Sequence, residues 1–155
     1  MILLDTNVVS EPLRPQPDSR AVQWLDEQVH ETLSLSTITI AEMRFGISAL
    51  PAGGRRRILS ERFEGEVMPL FHGRILAFDE LAATAYARIR ARVRQRGRAL
   101  GDFDALIAAI ADANGLTVAS RDTGPFVVAG VPVINPFTPR PRPTPSSPSR
   151  AHDTP

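Results

Sequence analysis

Asp5, Glu42, Asp104 and Asp122 are the side chains of this sequence best placed to do chemistry together. Asp5 follows the apolar run Ile2-Leu3-Leu4, Asp122 stands three residues after Leu116-Thr117-Val118-Ala119, and the other two fall where helical patterns open. Acids from four segments, crowded at one edge, would repel one another, and burial would raise their pKa values, unless a cation neutralised them. The chain has no cysteine, and His30, His72 and His152 are isolated from one another, so none is assigned as a general base. Ligation by oxygen alone suits a hard ion, Mg²⁺ or Mn²⁺. Such an ion serves phosphoryl chemistry by orienting and activating water and by offsetting charge on the phosphate oxygens. A metal-dependent phosphodiesterase or phosphatase is what these residue types imply.

Each acid also has a plainer reading. Glu42 can close a capping box opened by Thr39, and Asp104 suits the positive end of a helix dipole. Asp122 can start the turn before Thr123-Gly124-Pro125, and Asp5 can cap a short helix.

Short apolar runs alternate with longer helical patterns. The runs are Ile2–Leu4, Leu33–Ser36, Ile75–Phe78, Leu116–Ala119 and Val131–Ile134. Strands of this kind between helices predict an α/β fold with a mainly parallel sheet covered on both faces. Asp18 or Ser19 caps a helix through Trp24-Leu25. The Thr39 box opens one to about Leu50, stopped by Pro51 and Gly53-Gly54. Asp79 caps a helix from Glu80 to about Arg96, closed by Gly97, and Asp102 or Phe103 opens the last, ended by Asn114-Gly115. That last helix is apolar on nearly every side, which predicts burial against the sheet. Ligands of open parallel sheets bind beyond the carboxyl ends of the strands, where Asp5, Glu42 and Asp122 would gather. Two successive helices join the third and fourth strands, so parity alone leaves Asp104 undecided.

At 155 residues with 43% apolar content the chain fits one domain, and its formal net charge of +1 excludes a strongly basic nucleic-acid binder. All cations are arginine. The absence of lysine excludes a phosphate-loop lysine, Schiff-base chemistry and the lysine that haloacid-dehalogenase-like or receiver-type phosphotransfer domains need. No apolar run approaches the ~18 residues of a membrane span, and Asp5 interrupts the only early one, so a cytoplasmic protein is expected. From Pro136 the chain is rich in Pro, Ser, Thr and Arg; residues 138–155 are read as a disordered or extended tail after a domain of residues 1–137. Trp24 and Tyr86 fit packing better than base stacking.

Leu3-Leu4-Asp5-Thr6-Asn7, the stretch Ser36 to Gly46, and Asp104-Ala105-Leu106-Ile107-Ala108-Ala109 resemble three signatures of the PIN-domain nucleases. Val118 to Asp122 and Gly130 to Pro136 resemble that family's fourth acidic site and closing strand. Within it the chain is similar to the VapC-type toxins and their FitB-like branch. The resemblance implies an α/β/α sandwich of about five strands and a Mg²⁺-dependent endoribonuclease, the toxin of a toxin–antitoxin pair, bound by a cognate antitoxin and commonly homodimeric. Position by position, it makes Asp5, Glu42, Asp104 and Asp122 the catalytic and metal-binding acids, with Thr6, Asn7 and Ser120 as supporting polar groups. It also brings the Asp104 helix start to the metal, and implies metal-activated water that leaves a 5′-phosphate and a 3′-hydroxyl. A catalytically inactive RNA- or partner-binding module on the same fold is the alternative.

Arginines would meet the RNA. Arg88, Arg92 and Arg96 line one face of their helix and Arg90, Arg94 and Arg98 another, while Arg55-Arg56-Arg57 form a shorter run. A solvated helix surface is the plainer and favoured explanation; the functional version puts RNA contacts at Arg94, Arg96 and Arg98. Val22, Leu25, Leu50 and Ile58 are candidates for a dimer or antitoxin surface.

Overall fold

The first strand pairs on both sides with strands remote in sequence, and this decides the architecture. In the computed structural model, which describes residues 1–139, five parallel strands form one sheet: β1 (Ile2–Leu4), β2 (Leu33–Ser36), β3 (Ile75–Leu76), β4 (Thr117–Ala119) and β5 (Val133–Ile134). Their order is β3-β2-β1-β4-β5, with Ile2 opposite Leu33 and Thr117. Seven α-helices connect them: α1 (Thr6–Val9), α2 (Ser19–Asp26), α3 (Thr37–Ser48), α4 (Gly54–Arg62), α5 (Glu80–Gln95), α6 (Asp102–Ala113) and α7 (Gly124–Ala129). The tail reading from residue 140 onward lies outside the described residues. Among those residues no helix is long and apolar enough to cross a membrane.

Alternation along the central strands divides the core in two. Leu3 and Val118 face one layer with Ile89, Val93, Ile107, Ile110 and Phe126. Leu4 and Ala119 face the other with Val8, Leu33, Leu35, Met43, Phe63 and Phe71. Helices therefore cover both faces, giving the three-layer α/β/α sandwich. Each fully buried Leu, Ile or Phe contributes about 1.5–3 kcal/mol. Helix α6 is the buried one, with Ile107 to Ala111 fully enclosed, as its all-round apolar sequence predicts. Trp24 and Tyr86 both pack against core, the latter edge-to-face with Phe78 at 5.9 Å between ring centres.

One reading from the sequence changes, and one helix is present that the sequence did not mark. The cap of α3 is Ser36, whose hydroxyl accepts from Thr39 N, so the helix begins before Thr39 and Glu42 lies in its second turn. Helix α3 stops before Pro51, as its sequence predicts; the residues from Gly54 start a further helix, α4, which passes through a π turn (Phe63–Val67) and a 3₁₀ turn (Met68–Phe71) toward β3. Asp102, one of the two expected openers, is the first residue of α6, behind Gly101.

The connection after α6 resolves the parity of the two helices. Only Asn114, Gly115 and Leu116 separate α6 from β4, so the helix runs back along the sheet and begins at the carboxyl edge. At the far end of β4, Gly130 closes α7 at φ +72°, and a Cβ there would lie 2.9 Å from Arg92 Nη2, which donates to Ala129 O. The left-handed backbone is what favours glycine here; the guanidinium, at the end of a flexible side chain, could move aside.

Candidate active site

Asp5 ends β1 and begins α1 at once. Its Oδ1 accepts from Thr6 N at 2.8 Å, the cap of that short helix. Its Oδ2 accepts from Asn7 Nδ2 at 2.9 Å and from Ser120 Oγ at 2.7 Å. Both alternatives for this residue therefore hold: it is a helix cap, and it sits at the sheet edge facing other acids. Only 6% of it is exposed, and three donors reach its two oxygens.

The partners on Asp5 are themselves held. Asn7 donates also to Ser120 Oγ at 3.1 Å and accepts from Arg121 N at 2.9 Å, which fixes its amide orientation. Ser120, fully buried, accepts from Asp122 N at 3.1 Å, so its hydroxyl proton is directed to Asp5. Thr6 Oγ1 donates to Glu42 Oε1 at 3.1 Å. The start of α3 is tied to β1, because Thr39 Oγ1 reaches Leu4 O at 3.3 Å. That bond sets Glu42 beside the Asp5 segment.

Burial chiefly raises the pKa of Asp5, against its three hydrogen bonds, and Asp122 raises it further. Burial also raises Glu42, opposed by the Thr6 hydrogen bond and reinforced by Asp5 and Asp104. Asp104 is raised by burial, then by Asp5 and Asp122. The four acids thus share one electrostatic neighbourhood, Asp104 included. None of them forms an ion pair with an arginine among the described residues, although arginine is plentiful. Gly101 leaves room for one of them: a Cβ there would lie 3.0 Å from Asp104 Oδ2.

Among the described residues no three Asp, Glu or His side chains close into a ready-made ligand cage. Mg²⁺ does not need one. It keeps several waters and is usually held by one or two carboxylates plus substrate phosphates. The uncompensated, all-oxygen donor set fits such an ion, with Asp5, Glu42 and Asp104 as the residues that could hold it and exposed Asp122 at the rim.

Glu11 and Arg121 are positioning residues that no sequence motif marked. Glu11, 2% exposed, accepts from Arg121 Nη2 at 3.0 Å and from Asp18 N at 2.7 Å. Arg121 stacks over Phe137 at 3.9 Å, and its carbonyl accepts from Asn135 Nδ2 at 3.1 Å. These contacts clamp the loop that carries Ser120 and Asp122. Glu11 in Ser10-Glu11-Pro12 reads as any acid beside a proline; its burial is visible only in three dimensions.

A groove of about 770 Å³ opens beside the acids, with Thr6 and Glu42 at one end and Leu13, Met43, Ile47 and Ile58 along it. Leu50 lines it too, whereas Leu25 faces a separate hollow beside Phe71 and Val22 lines neither.

Residues 2–131 match the family profile described as PIN domain. Toxin FitB of Neisseria gonorrhoeae is 52% identical over 137 residues, 88% of this chain and 99% of that protein. VapC ribonuclease Y4jK of Sinorhizobium fredii is 50% identical over 139 residues, covering 90% and 99%. The crystal structure of FitAcB from Neisseria gonorrhoeae superposes with a TM-score of 0.86 at 52% identity, covering 88% of this chain and 99% of that one.

Proposed function

This chain belongs to the PIN-domain family, and from that premise we propose that it is a Mg²⁺-dependent endoribonuclease, the toxin of a toxin–antitoxin pair. The observation that carries the reading is the gathering of buried Asp5 and half-buried Glu42 and Asp104 at one edge, with Asp122 beside them and no arginine ion-paired to any of the four among the described residues. The relatives named VapC ribonuclease and Toxin FitB support the substrate class and the toxic role.

A bound divalent ion would supply the positive charge that offsets the phosphate and makes a nearby water a better nucleophile. Asp5 is the rigid member of the site, fixed by Thr6 N, Asn7 and Ser120. Glu42 is oriented by Thr6, while Asp104 extends past Gly101 with freedom to adjust. Asp122, exposed on the clamped loop, is placed to complete the site or to meet the substrate side.

That no three carboxylates close into a cage among the described residues favours one second reading, a catalytically inactive RNA- or partner-binding module. A cleavage assay on single-stranded and structured RNAs separates them. The enzyme cleaves in Mg²⁺, not in excess EDTA, and Asp5→Asn abolishes cleavage while keeping the Thr6 cap through its amide oxygen. Cleavage undiminished in EDTA or in that variant refutes the mechanism, and an inert wild-type chain favours the second reading.

The antitoxin belongs in the apolar groove. A segment seated against Met43, Ile47 and Ile58 ends at Thr6 and Glu42, so docking and covering of the acids are one event. Exposed Phe45, Leu81 and Phe103 are apolar surface available to a homodimer.

A further inference from the structure

We propose that the cleft between the end of α5 and the start of α6 binds the sugar-phosphate backbone of RNA, gripping the strand away from the acids. The proposal rests on the ribonuclease reading and adds a site to it. The cleft encloses about 470 Å³ and is lined by Arg90, Val93, Arg94, Arg98, Ala99 and Leu100. Arg96 is not part of its wall, so the contact set expected from sequence divides: Arg94 and Arg98 join Arg90 on one face, and Arg96 points elsewhere.

The arginines of this run are not equivalent. Arg88 pairs with Asp112, and Arg92 donates to Ala129 O. Arg90 donates to Leu100 O at 2.6 Å, pairs with Asp102 at 3.2 Å and lies 5.7 Å from the Tyr86 ring centre. Those three are occupied by the fold. Arg94 and Arg98 are exposed, and their guanidinium groups make no hydrogen bond or ion pair among the described residues; only their backbones are bonded, Gly97 N to Arg94 O and Arg98 N to Val93 O. Among the described residues no carboxylate lines the cleft. The dipole of α5 accounts for a cation in its last turn but not for Arg98, which lies beyond the helix. Two free guanidinium forks over one hollow match phosphate oxygens, which accept parallel N–H donors. Val93, Ala99 and Leu100 give the ribose an apolar wall.

Location distinguishes an RNA strand from other anions. Leu100 of the wall is followed directly by Gly101, against which the Asp104 carboxylate rests. A strand with one phosphate in the cleft therefore crosses a single residue of backbone to reach the acids.

The test measures binding of a fluorescent single-stranded RNA to the full chain in EDTA across a range of salt. Arg94→Gln with Arg98→Gln is expected to weaken binding about tenfold at low salt. It should reduce the slope of log K against log salt by about 0.7–1.4, one or two phosphate contacts. Arg56→Gln with Arg96→Gln removes the same formal charge and should leave the slope unchanged. Equal slopes in the two variants, an unchanged slope in the first, or no RNA binding by the wild type overturns the proposal. So does a loss confined to a poly-glutamate peptide, which would make the cleft a site for an acidic protein. Cleavage by the wild type in Mg²⁺ is measured alongside. Cleavage with an unchanged slope sinks the cleft alone, whereas a reduced slope without cleavage sinks the nuclease reading and spares the cleft.

Discussion

Ser120 and Asp5 stand 115 residues apart in the chain and meet at 2.7 Å, the hydroxyl donating to Oδ2. It is the shortest of the three donors on this carboxylate. A group that orients a metal-binding carboxylate tunes its affinity without touching the ion.

Ser120→Ala is accordingly expected to raise the Mg²⁺ concentration for half-maximal cleavage roughly 10–100-fold. Turnover at saturating Mg²⁺ should stay near the wild-type value. A Mg²⁺ titration of initial rates reads both, and an unaltered requirement would make Ser120 a packing residue only.

Stability of the metal-free protein should fall as pH rises from about 4.5 to 7. Asp5, Glu42 and Asp104 have folded pKa values above their ordinary ones, so the native state holds more protons than the unfolded state in that window. Their favourable contribution is complete below the ordinary carboxylate range, about 4, and lost as pH passes the raised values. Asp18, held at about 2 by Arg20, acts in the opposite sense, but only below about pH 4. Melting in EDTA at several pH values shows the decline, and saturating Mg²⁺ should flatten it. A Tm that climbs across this range in EDTA would contradict the charge crowding.

Asp104→Asn should stabilise the metal-free protein while abolishing cleavage. The side chain is half-buried and makes no hydrogen bond or ion pair among the described residues, so without an ion its charge brings a burial cost and repulsion from Asp5 and Asp122, against a gain from the α6 dipole; its raised pKa sets that balance against the charge. Relief of roughly 0.5–1 kcal/mol, allowing for solvent screening, raises Tm by about 1–4 °C. Loss of stability in EDTA would mean that this carboxylate has a structural partner.

Arg121→Ala removes a partner from buried Glu11 and the stack on Phe137. Arg14 Nε at 3.4 Å remains, which limits the cost to about 2 kcal/mol. Thermal melting should fall by about 4–8 °C. Activity measured well below the melting point should fall as well, because the loop with Ser120 and Asp122 loses its clamp.

Ile58→Asp puts a charge into the groove at a half-exposed position. Co-purification with the antitoxin should be lost and RNA cleavage retained. Intact co-purification would place the antitoxin on another face.

The strands were legible because each is a short segment rich in Leu, Ile or Val between longer helical patterns, and the buried α6 because its apolar residues lie on nearly every side. The start of α3 was not, since Ser36-Thr37-Ile38-Thr39-Ile40-Ala41-Glu42 contains two overlapping capping frames. The tertiary bond from Thr39 to Leu4 O favours the earlier one and frees Glu42 from capping. Helix α4 escaped notice because only Ile58 and Leu59 are apolar in Gly54–Arg62, too few to show a period. Asp104 was undecided by parity and is settled by the length of a loop. Glu11 and Arg121 carry no local signal at all, since their pairing spans 110 residues.

The sheet ends on both sides in strands of two residues, Ile75–Leu76 and Val133–Ile134. Such stubs offer an incoming peptide almost no ladder of free amides and carbonyls. Association by strand addition, whether productive or as a route to fibrils, has little template here. Among the described residues, recognition therefore falls to side chains on the helical surface, which makes such partnerships alterable one residue at a time.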